Sequence, residues 1–276
     1  MKQNEYVIAI PTYNRPETIK NKTLNVLERE NFPKNRIHIF FANELERDQY
    51  NLGDEYPNQI IGTIGLCSQR NFIVNHFDHG QKILWMDDDL MNFYGCEIDP
   101  ARMDKRHNLR LKPETIKNIA EIGFDQLLKN ECTLFGVYPV TNAGFMKMDH
   151  ITTDLRYIIG CFYGTINIRE TYTFDVFENN GGAKEDFLRS VMAYQNDGSV
   201  VRLNMFNAET IPYNEAGGLQ SIDQFGSRYD RDMISMNYIC DRFPQMAFRN
   251  ITRKNYPEIR LTDKRIKNNI NQTTLF

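Results

Sequence analysis

The 276-residue chain has no apolar stretch near the roughly 18 residues that a bilayer-spanning helix needs, and Met1-Lys2-Gln3-Asn4-Glu5 passes straight into a short apolar run. Neither a membrane span nor a secretory leader is expected, and a cytoplasmic location is. Cysteine is sparse: Cys67, Cys96, Cys132, Cys161 and Cys240 are odd in number and far apart. That spacing argues against a disulfide framework or a zinc site and for buried free thiols. The histidines His38, His76, His79, His107 and His150 lack metal-ligand spacing, with only His150 a conceivable extra ligand. Tryptophan occurs once, as Trp85, and repeats and low-complexity linkers are absent. The net charge of −3 gives the whole chain no general attraction for nucleic acid.

What is present is an ordinary globular composition, 41% hydrophobic and 25% charged, enough to bury a sizeable core. Charge is unevenly spread. Arg249, Arg253, Lys254, Arg260, Lys264, Arg265 and Lys267 crowd one stretch against only Glu258 and Asp263. The organisation expected is a catalytic domain over residues 1–210 and a C-terminal extension over 211–276 whose basic tail could meet an acceptor.

Short apolar runs alternate with helical stripes, the pattern of a sheet built from βα units. Strands are predicted at 6–10, 37–42, 82–86, 133–138, 157–168 and 200–206. Helices are predicted from Pro16 onward and at 66–77, 113–130 and 184–194. Residues 96–113 carry Arg102, Lys105, Arg106, His107 and Arg110 without apolar period and read as a mobile basic loop, a candidate lid. Beyond residue 210 no boundary is legible.

Chemistry concentrates in four places. Asp87-Asp88-Asp89 directly follows an apolar strand, where three adjacent carboxylates demand compensating charge. Asp87 and Asp89, as alternate members, can converge on a hard cation such as Mn2+ or Mg2+ that also bridges a diphosphate. An acid-rich turn would be a sufficient reading of the triplet by itself. It has company, however, because ligands of open α/β sheets bind beyond the carboxyl ends of strands, and the first strand ends in Pro11-Thr12-Tyr13-Asn14-Arg15-Pro16. Thr12 and Asn14 can hydrogen-bond a base or ribose, Tyr13 can pack on it, and Arg15 can meet a phosphate; capping and a turn would also account for Thr12 and Asn14. Gly65-Leu66-Cys67-Ser68-Gln69-Arg70-Asn71 opens a helix with Gln69 and Arg70 in its first turns, where Arg70 could clamp a nucleotide or pair with the aspartates. Gly181-Gly182-Ala183-Lys184-Glu185-Asp186-Phe187 places two acids at a helix start, where a carboxylate can take the proton of an attacking hydroxyl.

In that order, "IPTYNRP", "SQRN", "WMDDD" and "KEDFLRS" resemble the inverting GT-A glycosyltransferases of the family 2 type, over roughly residues 5–206. The resemblance implies an α/β, Rossmann-like three-layer sandwich around a mostly parallel sheet, and transfer of a sugar from a nucleotide-diphosphate sugar, UDP-sugars favoured. It places Pro11, Thr12, Tyr13, Asn14, Arg15, Gln69, Arg70, Asp87 and Asp88 around the nucleotide-sugar, Asp87 and Asp89 on the metal, and Asp186 with Glu185 in catalysis. The base-reading acid after the second strand has no unique match, Asn43 and Glu44 both lying nearby. The last third, with Asn214 to Gln220, Phe243-Pro244 and Tyr256 to Leu261, more loosely resembles the TET-associated glycosyltransferases of phages. That implies a hydroxymethylpyrimidine in DNA as acceptor and the host cytoplasm as location, with a glycan, lipid or protein hydroxyl as the alternative. No tryptophan-rich acceptor motif is present, which argues against polysaccharide synthesis.

Two other classes compete. A nucleotidyltransferase would also need clustered acids, but "IPTYNRP" lacks the glycines and lysine of its phosphate loop. A non-catalytic nucleotide-sugar or nucleic-acid binding module would have little use for both the aspartate triplet and the Glu-Asp pair.

Overall fold

A computed structural model describes residues 5–103, 107–174, 183–210 and 227–265. The N-terminal half is wound as the apolar alternation predicts. It runs through β1 (Val7–Pro11), a helix of two straight parts α1 (Pro16–Ile19) and α2 (Asn25–Arg29), β2 (Ile37–Phe41), α3 (Glu44–Tyr50), β3 (Asn58–Ile61), α4 (Leu66–His76) and β4 (Lys82–Met86). Proline at the first helical position starts α1, and Lys20–Leu24 between α1 and α2 forms a wider π turn. Then come β5 (Leu90–Ile98), β6 (Leu109–Pro113), α5 (Ile116–Lys129), β7 (Leu134–Val137), β8 (Ile151–Thr152), β9 (Phe162–Ile166), α6 (Arg169–Tyr172), α7 (Glu185–Asp197), β10 (Val201–Leu203) and β11 (Phe206–Thr210). The chain closes with α8 (Arg228–Arg242), β12 (Ala247–Ile251) and β13 (Pro257–Leu261).

The main sheet has eight strands in the order β3-β2-β1-β4-β9-β7-β10-β8. β1, β2, β3 and β4 run parallel, β7 and β10 pair parallel, and β9 is antiparallel to both β4 and β7. Side chains alternate across this sheet with period two. Ile8, Ile10, Ile39, Leu84 and Met86 face one core with α2 and α5, while Ala9, Phe40, Ile83, Trp85 and Tyr163 face a second core with α4, α7 and α8. The result is helix, sheet, helix in three layers. Met236, Ile239, Phe243 and Ile259 lie in the same apolar cluster as Leu188 and Val191, so the C-terminal segment packs directly on α7. All five cysteines are free and buried. No helix among the described residues is long and apolar enough to cross a membrane.

Three expectations are corrected. The two ends of the supposed loop 96–113 are strand, paired antiparallel as the end of β5 and as β6, with β11 on the other side of β5; Asp104, Lys105 and Arg106 lie outside the described residues. β6 has no fully buried residue, so its short Leu109, Leu111 alternation gives little apolar signal. The strand expected at 200–206 is two strands in different sheets, divided at Asn204, whose amide N–H donates to His150 O beside β8. The strand expected at 157–168 is regular only in β9, because residues 157–161 turn to cover the head of α7. The Asn214 to Gln220 motif and Gly181-Gly182 lie outside the described residues.

Candidate active site

The strand order turns back between β1 and β4, the switch point at which an open α/β sheet is expected to hold its ligand in a crevice beyond the strand ends. In register, Ala9 stands opposite Trp85; three residues further on, Thr12 stands opposite Asp88 and donates to its Oδ2 at 2.7 Å. Arg15 Nη1 reaches Asp88 Oδ1 at 3.0 Å and Asp89 Oδ2 at 3.5 Å. Asp88 therefore faces inward and is held by two groups of the first motif. Burial raises its pKa to about 6, with Arg15 and the Thr12 bond opposing.

Asp87 and Asp89 are each partly exposed on the turn that follows β4, whereas Asp88 is buried. Desolvation pushes Asp87 up to about 7, reinforced by Asp89, Asp88 and Glu185 and opposed by Arg70. Thr23, on the π turn, holds this acidic loop from below: its Oγ1 donates to Asp87 O at 2.7 Å and accepts from Leu90 N at 2.9 Å.

The first loop is braced by α3. Buried Glu46 accepts from Ala42 N at 2.9 Å and from Asn14 N at 2.5 Å, and Tyr50 OH accepts from Arg15 N at 2.9 Å. Asn14 adopts a left-handed backbone at φ 53°, a conformation asparagine tolerates better than most residues. Asn43 caps α3 through Glu46 N at 2.9 Å, so it is Glu46 of this cluster that is buried against the loop. Tyr13 is half-buried and Asn14 exposed at the rim.

Gln69 and Arg70 are both internal. Gln69 accepts from Thr63 N at 2.8 Å and donates to Phe41 O at 3.3 Å. Arg70 donates to Tyr163 OH at 2.8 Å, to Asp87 Oδ1 at 3.2 Å and to Gly160 O at 3.3 Å, and its Nε lies 3.2 Å from Glu185 Oε1. It thus ties the acidic loop to the head of α7. Glu185 is held from the other side by Arg189 Nη1 at 2.7 Å, one helical turn on, while the Arg189 guanidinium lies 3.6 Å from the Tyr163 ring centre. Glu185, expected in catalysis beside Asp186, is a carboxylate buried between two buried arginines, the place of a counter-ion.

Asp186, by contrast, is only half-buried. Its Oδ2 accepts from Tyr157 OH at 2.5 Å and its Oδ1 from Phe187 N at 3.0 Å. Burial raises its pKa and Glu185 raises it further, while Tyr157, Arg189 and the Phe187 amide oppose. The motif residues thus divide: Thr12, Arg15, Gln69, Arg70, Asp88 and Glu185 build the rim through internal bonds, and Tyr13, Asn14, Asp87, Asp89 and Asp186 are presented at it. Glu46, Tyr50, Thr23, Tyr157, Tyr163 and Arg189 went unpredicted; only Arg189 had a local signal, four residues after Glu185.

Among the described residues no group of three or more His, Cys, Asp or Glu side chains is arranged to hold a metal ion. His150 instead bonds Asn204 at 3.0 Å beside β8, at the sheet edge. Even so, the donor chemistry fits a small hard cation. Among the described residues Asp87, Asp88, Asp89 and Glu185 pair with Arg15, Arg70 and Arg189, and Asp186 forms no ion pair, so five carboxylates stand against three arginines. Such a cation is commonly bound through one or two carboxylates with phosphate oxygens completing the shell, which Asp87 and Asp89 can supply.

No protein-family model and no curated protein matches the sequence. Among solved structures, the chain is similar to "Crystal structure of S. aureus TarS 1-349 in complex with UDP-GlcNAc", with 14% identity and a TM-score of 0.55. The match covers 87% of this chain and 66% of that one, a little under two thirds of its length. The α/β fold with its mostly parallel eight-stranded sheet is that of the GT-A type.

Proposed function

We propose that the chain transfers a sugar from a nucleotide-diphosphate sugar, a UDP-sugar by preference, to an acceptor hydroxyl. The observation carrying this reading is that Arg70 ties Asp87 of the acidic turn to Glu185, the neighbour of Asp186 at the head of α7, on a fold shared with a structure solved with UDP-GlcNAc. Tyr13 and Asn14 meet the nucleotide, on a loop whose shape Thr12, Arg15, Glu46 and Tyr50 fix. Asp87 and Asp89 would hold Mn2+ or Mg2+, which offsets charge gathering on the diphosphate. Asp186 takes the proton of the acceptor hydroxyl as that oxygen bonds to the anomeric carbon, and the carbon–oxygen bond to the diphosphate breaks with its electron pair leaving on the nucleotide diphosphate. Attack opposite the leaving group inverts the anomeric centre.

The test is turnover of a panel of nucleotide sugars with Mn2+, set beside calorimetric donor binding. Asp89→Ala loses metal-dependent binding, and Asp186→Asn binds but does not transfer. Wild-type rates in Asp186→Asn overturn the base assignment, and binding without turnover in the wild type leaves only a binding module.

For the acceptor we infer a hydroxymethylpyrimidine in DNA, favoured by the hairpin of β12 and β13. Arg253 and Lys254 are exposed at its turn and Arg260 on β13, with Lys264 and Arg260 3.8 and 5.9 Å from the Phe248 ring centre. A basic two-stranded ribbon suits a phosphate backbone, and the 211–276 segment is on this reading the acceptor-binding part. Nucleoside mass spectrometry of hydroxymethylpyrimidine DNA decides: a hexose adduct supports it, and nucleotide diphosphate release without an adduct moves the acceptor to a glycan, lipid or protein hydroxyl.

A further inference from the structure

We propose that Tyr157 is a positioning residue for the transfer reaction, holding the Asp186 carboxylate in one rotation and in its ionised form through the hydroxyl bond to Oδ2; this rests on reading Asp186 as the base. The geometry is built from both sides of Tyr157. Leu155 and Ile158 are buried in the second core, and Ile158 N donates to Ser190 Oγ at 3.0 Å, which in turn donates to Asp186 O at 2.7 Å. The backbone bearing Tyr157 is thereby fixed to the same helical turn that bears the carboxylate. The Tyr157 ring also stacks on Phe187, the residue after Asp186, with centres 4.3 Å apart and planes at 28°. Only the hydroxyl is left to set, and it points at Oδ2.

With Oδ2 on Tyr157 and Oδ1 on the Phe187 amide, side-chain rotation would break a bond at each oxygen, yet each oxygen keeps a lone pair for the acceptor. A base must be aligned before it can accept a proton in the transition state. The ionisable groups around Asp186 are Glu185 and Arg189 on α7, and Tyr157 and Cys161 from the segment ahead of β9, while Lys184 just before α7 is turned to Glu258. Glu185 disfavours its charge, whereas Tyr157 and Arg189 favour it. Burial raises the Tyr157 pKa well above its usual value, so its O–H remains a donor throughout the working range.

The experiment is Tyr157→Phe, which keeps the ring stack and removes one oxygen. Aspartate 13Cγ resonances are titrated by NMR, with Asp186→Asn giving the assignment, and transfer is followed against pH in parallel. Loss of a bond to the charged form should raise the Asp186 pKa by about one unit, and the acidic limb of kcat should move up with it while donor KM stays unchanged. An unmoved Asp186 resonance, or a limb that stays in place, overturns the proposal even if the variant melts at a lower temperature. Because the NMR arm needs no substrate, absence of transfer in the wild type would reject the proposed function while the bond is still tested.

Discussion

Neutralising Glu185 should cost the fold more than neutralising its neighbour Asp186, although the two carboxylates are adjacent. Glu185 Oε1 lies 3.2 Å from Arg70 Nε and Oε2 2.7 Å from Arg189 Nη1, with side chains 5%, 3% and 2% exposed. In Glu185→Gln both guanidiniums stay buried; Arg70 keeps Asp87, but Arg189 is left mainly with the Tyr163 ring. Removing one partner of a buried pair costs about 3–5 kcal/mol, and since glutamine can still accept one hydrogen bond we take about 3. For a chain of this size that lowers Tm by about 6–12 °C. Asp186→Asn keeps an oxygen for Tyr157 and removes a carboxylate whose ionisation burial disfavours, so its melt should stay within about 3 °C of wild type. Thermal melts followed by circular dichroism at neutral pH read both variants. A control follows from the same physics: adding Arg189→Met to Glu185→Gln removes the stranded cation, keeps an apolar stem against Tyr163 and should recover at least half of the loss. A Glu185→Gln melt within about 1 °C of wild type would refute the counter-ion assignment.

Other consequences are smaller in scope. Asp87 is raised to about 7, so the folded state holds its proton more tightly than the unfolded state; this favours folding fully below about pH 4 and is lost as the pH climbs through 7. A cation competes with that proton, so Mn2+-dependent donor binding should strengthen from about pH 6 to 8 and vanish with EDTA, and a flat calorimetric affinity across that window contradicts it. Gly164→Ala would put a methyl 2.0 Å from Phe135 Cε1 in the core between β7 and β9, which should cost about 1–3 kcal/mol and lower the urea midpoint; an unchanged midpoint is the contrary result. Thr23→Val removes the acceptor of the Leu90 amide and the donor to Asp87 O, costing about 1–3 kcal/mol, and should weaken donor binding by loosening the acidic loop; unchanged binding by calorimetry would show that the π turn does not position it.

Legibility in the sequence followed burial. β1, β2 and β4 are apolar in continuous runs, and their expected positions, like that of α4, agree with the structure to within a residue or two. β3 and β6 are only partly buried, and neither stood out from polar surroundings. β9 and β7 were visible as apolar runs, but their antiparallel pairing depends on connections too far apart in sequence to read locally. The acid clusters were legible for the same reason that the lone tryptophan was: few residue types explain three carboxylates after a buried strand.

Which carboxylate does what is decided by direction, and direction is set by packing. In Asp87-Asp88-Asp89, on the turn after β4, the middle member is the buried one, because Thr12 and Arg15 hold it there. In Glu185-Asp186 the first member turns inward because one step along a helix rotates the side chain by about 100°, and Arg70 and Arg189 wait there. Both inward acids balance arginines that the motifs themselves supply, and both outward faces are left with carboxylate to offer a cation or a proton. A motif scan counts five acids as equivalent; the partners buried beneath them separate two that hold the fold from three that face the crevice.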